Sequence, residues 1–74
     1  MIITEEQKLR LKELLSSEEY KNLISKINDT GDFLSELDDL IISRFDENDE
    51  NTPESERLQR IFDEIYNQNR KHLA

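Results

Sequence analysis

Seventy-four residues with no cysteine, no tryptophan, one glycine and one proline hold a single small domain. They exclude a disulfide framework, a thiolate zinc site and a glycine-rich phosphate loop. Ten bases against eighteen acids leave a net charge of −8, which opposes binding to duplex DNA or anionic lipid and favours basic partners met by fast, salt-sensitive association.

The chain has no valine, three threonines and no period-two apolar pattern, so strands are not expected. Thr4-Glu5-Glu6-Gln7 is a capping box that opens a first helix over roughly residues 5–15. Off its apolar face stands Leu9, expected to pack on the N-terminal Ile2-Ile3. Ser16-Ser17-Glu18-Glu19 repeats the start signal. The helix it opens carries Tyr20, Leu23, Ile24 and Ile27 at the spacing of one apolar stripe. Without a cap at Ser16, residues 5–28 would instead be one long helix.

Gly31 is expected to stop the second helix in a left-handed conformation, and Asp32 to cap a third over 33–45. The third helix turns Phe33, Leu34, Leu37, Leu40, Ile41 and Phe45 to the core. The stretch 46–52 is polar and aperiodic, hence a loop. Thr52 as cap and Pro53 at the first helical position restart the chain in a fourth helix over 53–71. Leu58, Ile61, Phe62, Ile65 and Tyr66 share its inner face, and Arg70, Lys71 and His72 complement its dipole. The expected architecture is all-α: a small bundle of four short amphipathic helices, or three if residues 5–28 are continuous.

Charge is unevenly placed. Residues 1–31 hold five bases and six acids, and residues 57–74 four bases and two acids. Residues 32–56 hold ten acids and Arg44 alone, a net of −9. Unrolled at about 100° per residue, the third helix gathers Asp32, Glu36 and Asp39 opposite its apolar arc. Ile42 lies between the two arcs, close to Asp38 and Asp39, as an apolar anchor with a charged rim. A face meant only for solubility would interleave both signs.

Catalytic chemistry finds no support. His72 is the only histidine, no glycine elbow flanks a serine, and the carboxylates have no apolar pocket to raise a pKa. A calcium loop counted from Asp46 would need glycine where Asn51 stands and glutamate where Arg57 stands. A DNA-reading helix would need an outward basic face, which Asp63 and Glu64 interrupt beside Arg57 and Arg60. No cofactor and no metal are expected. No apolar run approaches the ~18 residues of a spanning helix. The N-terminus has no basic stretch leading into an apolar core, so cytoplasmic residence is the expectation.

The run Asp39-Leu40-Ile41, then an acidic loop, then Thr52-Pro53 opening an amphipathic last helix, resembles the second half of the immunity proteins that neutralise DNase colicins. Those are small acidic four-helix domains, and the resemblance implies inhibition of a basic nuclease through acidic helical surface. Ile42-Ser43 stand where the family has paired tyrosines, and the family's tryptophan in the last helix is missing. The family's binding residues therefore do not carry over, and the resemblance implies only the strategy.

The residues expected to meet a partner are Asp38, Asp39, Ile42, Asp46, Glu47, Asp49 and Glu50. The expected partner is a basic protein, such as a nuclease or another nucleic-acid-binding protein, with no direct contact to nucleic acid or membrane. The alternative is a homo-oligomeric structural or regulatory subunit, in which a homodimer joins through apolar surface and the acids face solvent.

Overall fold

A computed structural model describes residues 1–73, with side chains placed through Lys71. The chain is all-α, with helices α1 (Glu5–Leu14), α2 (Ser17–Ile24), α3 (Thr30–Ile42), α4 (Pro53–Gln68) and a last turn, α5 (Arg70–Leu73). Both early capping boxes form. Thr4 Oγ1 accepts from the Gln7 amide while Gln7 Oε1 accepts from that of Thr4, and Ser16 and Glu19 repeat the exchange. Leu15 and Ser16 are extended, so the chain breaks here and the bundle has four main helices.

The next junction differs from the sequence expectation. Asp29, not Asp32, caps α3, accepting from the Asp32 amide at 3.0 Å. Gly31 sits inside the first turn of α3 without a positive φ. A glycine stop is unnecessary because residues 25–28 leave α2 as tight turns. Amides of Lys26, Ile27 and Asp29 bond the carbonyls of Leu23, Ile24 and Lys26, which would otherwise be orphaned. Asp29 then offers a cap that leaves Asp32 at the third helical position, where the dipole favours an acid.

α3 also ends early, at Ile42 rather than 45. Ser43 Oγ donates to the Leu40 carbonyl, and Arg44 and Phe45 turn through amide bonds to Ile41 and Ile42. α4 opens as expected at Thr52-Pro53, with Ser55 as the reciprocal partner in the capping box. It does not run to 71. Asn69 leaves helical geometry, and its fully buried side chain accepts from the Ile2 amide at 2.7 Å while donating to the carbonyls of Ile2 and Ile65 at 2.8 Å each. The expected role of the His72 side chain lies outside the described residues.

Leu11, Leu23, Phe33, Leu37, Ile41, Leu58, Ile61 and Ile65 fill the core with essentially no exposure, each contributing roughly 1.5–3 kcal/mol of apolar burial. The buried polar side chains among the described residues, Gln7, Ser55 and Asn69, all have hydrogen-bond partners. Two expected burials fail. Leu9 is 60% exposed instead of covered by Ile2-Ile3, and Tyr66 is 46% exposed although expected on the inner face of α4. Tyr66 lies about 80° from Leu58 around α4, at the margin of the stripe. No helix among the described residues is long and apolar enough to cross a membrane.

The helices form a ring in which α1 meets α2 and α4, and α3 meets α2 and α4. Thr52 Oγ1 donates to the Arg44 carbonyl at 2.7 Å, so α4 starts beside the end of α3. α5, at the far end of α4, also touches α3. α3 and α4 therefore run antiparallel.

Candidate protein-docking surface

Ion pairs show which edge of each helix faces which neighbour. On α3, Glu36 meets Lys26 at 3.3 Å and Arg44, just past the helix end, grips Glu19, so this edge belongs to α2. On α4, Glu64 accepts both guanidinium branches of Arg10 at 3.0 and 3.3 Å, and Gln68 exchanges amide hydrogen bonds with Gln7. That edge belongs to α1. Asp38 and Ile42 lie one turn apart on the other edge of α3, and Phe62 and Tyr66 one turn apart on the other edge of α4. These two edges border the α3–α4 seam.

On this seam Ile42 is 53% exposed. Tyr66 stacks on half-buried Phe62 with ring centroids 6.4 Å apart and planes 9° from parallel. Asp38 and Asp39 are exposed beside Ile42, and exposed Asp63 accepts from Gln59 at 3.1 Å on the α4 side. Because α3 and α4 run antiparallel, the seam presents Ile42 with Asp38 and Asp39 toward its loop end and the Phe62–Tyr66 pair with Asp63 toward its other end. Phe62 packs against the core as its spacing predicts, whereas Tyr66 reaches the surface although its spacing continues the core stripe. The marginal angle of Tyr66 on the helix was the one available signal.

The loop extends the acidic surface. Asp46, Glu47, Asp49 and Glu50 are all exposed, but the loop is internally bonded. The Asp46 carboxylate accepts from the amides of Asn48 and Glu50 at 2.8 and 3.0 Å. The Asp46 amide donates to the Glu50 carbonyl, and the Asp49 amide to that of Asp46. Asp49 takes φ 58°, a left-handed conformation that aspartate tolerates better than most residues. Asp46 is therefore the organiser of the loop, while Glu47, Asp49 and Glu50 project from it.

No ion pair among the described residues reaches Asp38, Asp39, Asp46, Glu47, Asp49 or Glu50. Arg44 serves Glu19 and stands 3.8 Å from Glu54. Arg57 lines a groove against α1 beside Glu13, Leu14 and Ile61, while Arg60 borders both that groove and another with Glu56 and Asp63, without forming an ion pair among the described residues. The acids of the seam and loop are thus left uncompensated by the nearest arginines.

Perturbed titrations mark the scaffold. The Arg44 guanidinium, with help from the Ser16 amide, holds Glu19 down at about 2. Arg10, and then Gln7, hold Glu64 below the usual carboxylate range. Both arginines are raised in return, chiefly by those hydrogen bonds. These pairs fasten α2 to α3 and α1 to α4, the joints that set the seam's shape. Among the described residues no three acidic or imidazole side chains converge to hold a metal ion. Comparison with protein-family models, curated proteins and solved structures finds no match to this chain.

Proposed function

We propose that this protein is a non-enzymatic binding module of the inhibitor or immunity type, docking the acidic α3–α4 seam and loop 46–50 on a basic surface of another protein. The observation that carries this reading is Ile42, 53% exposed beside Asp38 and Asp39 and next to the acidic loop, with no ion pair to those carboxylates among the described residues. Exposed apolar side chains with a charged rim are the arrangement of an interface centre. The apolar part supplies desolvated contact, while the rim steers encounter and rejects wrong partners. Asp38, Asp39, Glu47, Asp49 and Glu50 supply the steering field, and Asp46 holds the loop in shape. A basic nuclease or another nucleic-acid-binding protein fits this surface in charge.

The test is affinity capture from the native cell extract at low salt, eluted by a salt gradient. The expected result is a basic protein released as salt rises, and lost when Asp38 and Asp39 are both changed to Lys. An acidic captured protein, or one whose retention ignores salt, overturns the proposal.

A further inference from the structure

The flank of α4 opposite the acidic seam carries a feature of reversed character. A groove of about 330 Å³ runs between α1 and α4, lined by Arg10, Glu13, Leu14, Arg57, Arg60 and Ile61. Half-buried Leu14 supplies its apolar surface, with Ile61 beneath it in the core. Arg10 is committed to Glu64; Arg57 and Arg60, one helical turn apart and exposed, form no ion pair among the described residues, although Arg60 also helps hold the Glu64 carboxylate down. Glu13 is the one acid on the rim, with Glu64 behind Arg10.

The groove and the seam complement each other. The seam offers an isoleucine flanked by carboxylates, and the groove an apolar patch at Leu14 flanked by the exposed guanidinium forks of Arg57 and Arg60, which suit carboxylates. We infer that the groove takes the Asp38–Asp39–Ile42 surface of a second copy of this chain, joining protomers head to tail. The inference rests on reading the seam as a docking surface, though not on who the foreign partner is. Because the two surfaces differ, the contact is heterologous and each dimer keeps one free groove on one copy and one free seam on the other. The groove lies outside the surface that meets the foreign partner, so self-association and partner binding compete only for the seam.

The net charge of −8 opposes the contact at long range. Association is therefore expected near 0.1 M salt, where the screening length is about 10 Å. It is lost near 1 M, where about 3 Å screens the pairs themselves. A contact this small belongs to the weak class, with a Kd on the order of 10–100 μM.

Sedimentation equilibrium of the full chain and two charge-reversed variants tests the inference. R57E/R60E removes the groove and D38K/D39K removes the seam; all four positions are exposed, and circular dichroism checks that both variants fold. The wild type is expected to associate at 0.1 M salt and to be monomeric at 1 M. Each variant alone is weakened more than about tenfold. An equimolar mixture of the two regains association, since the intact seam faces the intact groove and the Lys-bearing seam faces the Glu-bearing groove.

A wild type that stays monomeric to about 1 mM, a mixture that stays monomeric, or an R57E/R60E variant that still dimerises overturns the inference. So does a monomeric chain whose groove instead captures an acidic protein. In salt-graded capture R57E/R60E is expected to retain the basic partner. Capture without mixed-variant dimers sinks the inference alone, whereas dimers without any basic partner sink the proposed function alone.

Discussion

Arg44 grips Glu19 with both guanidinium branches, joining the end of α3 to the first turn of α2. Arg44 is the only base between residues 32 and 56, yet it is spent on an acid outside that stretch. The pairing braces the seam at its loop end and leaves the acidic face uncompensated.

That pair makes stability depend on acid. Glu19 falls from its ordinary 4.5 to about 2, first through Arg44 and then through the Ser16 amide. A depressed carboxylate stabilises the fold above its unfolded pKa and loses that contribution as pH falls through the folded one. The loss is thus expected between about pH 4.5 and pH 2. With solvent reaching both partners, the contribution is on the order of 1–2 kcal/mol. Urea unfolding of the wild type and Glu19→Gln at pH 6, pH 3 and below pH 2 measures it: the two should differ most at pH 6, less at pH 3, and converge only below about pH 2.

Asn69 holds both backbone groups of Ile2 and the carbonyl of Ile65 from a fully buried position. Asn69→Ala removes all three bonds, at an expected cost of about 2–3 kcal/mol. For a domain of this size that is roughly 10–20 °C in Tm. Faster hydrogen exchange of the Ile2 amide identifies the cause as the lost clamp.

Gly31 occupies an exposed helical position without a positive φ, and an added Cβ meets only the Asp29 carboxylate, at 3.4 Å. Gly31→Ala is expected to stabilise the protein by about 0.5–1 kcal/mol through the unfolded chain's reduced freedom and better helix propensity. A glycine acting as a left-handed stop would give the opposite sign, so chemical denaturation distinguishes the two conformations directly.

Asp49 pays a left-handed backbone cost of about 1 kcal/mol, which glycine would relieve while adding about 0.5–1 kcal/mol of chain entropy. Asp49→Gly should therefore change stability by less than about 0.5 kcal/mol. Its salt-dependent retention of a basic partner should weaken all the same, because one steering carboxylate is gone. Parallel melting and capture measurements separate the two effects.

The all-helical class, the Thr4, Ser16 and Thr52 caps and the polar loop were legible because capping boxes and apolar spacing are local, written within a few residues of each other. So was the confinement of net charge to residues 32–56. The choice between one helix and two over residues 5–28, by contrast, was decided only by the extended backbone at Leu15 and Ser16. Competition between neighbouring signals was harder to read. Asp29 and Asp32 are both competent caps, and only the tight turns leaving α2 decided for Asp29. The Asn69 clamp and the Gln7–Gln68 exchange join residues more than sixty apart, and spacing along a chain carries no trace of such pairs. Tyr66 came out on the surface because its angle on α4 is marginal and the position of α3 decided how much of it was covered. Composition and periodicity determined that acids gather on an all-helical scaffold; tertiary packing decided which arginines answer them, because charge pairing depends on distances of a few ångströms that only the folded arrangement of helices sets.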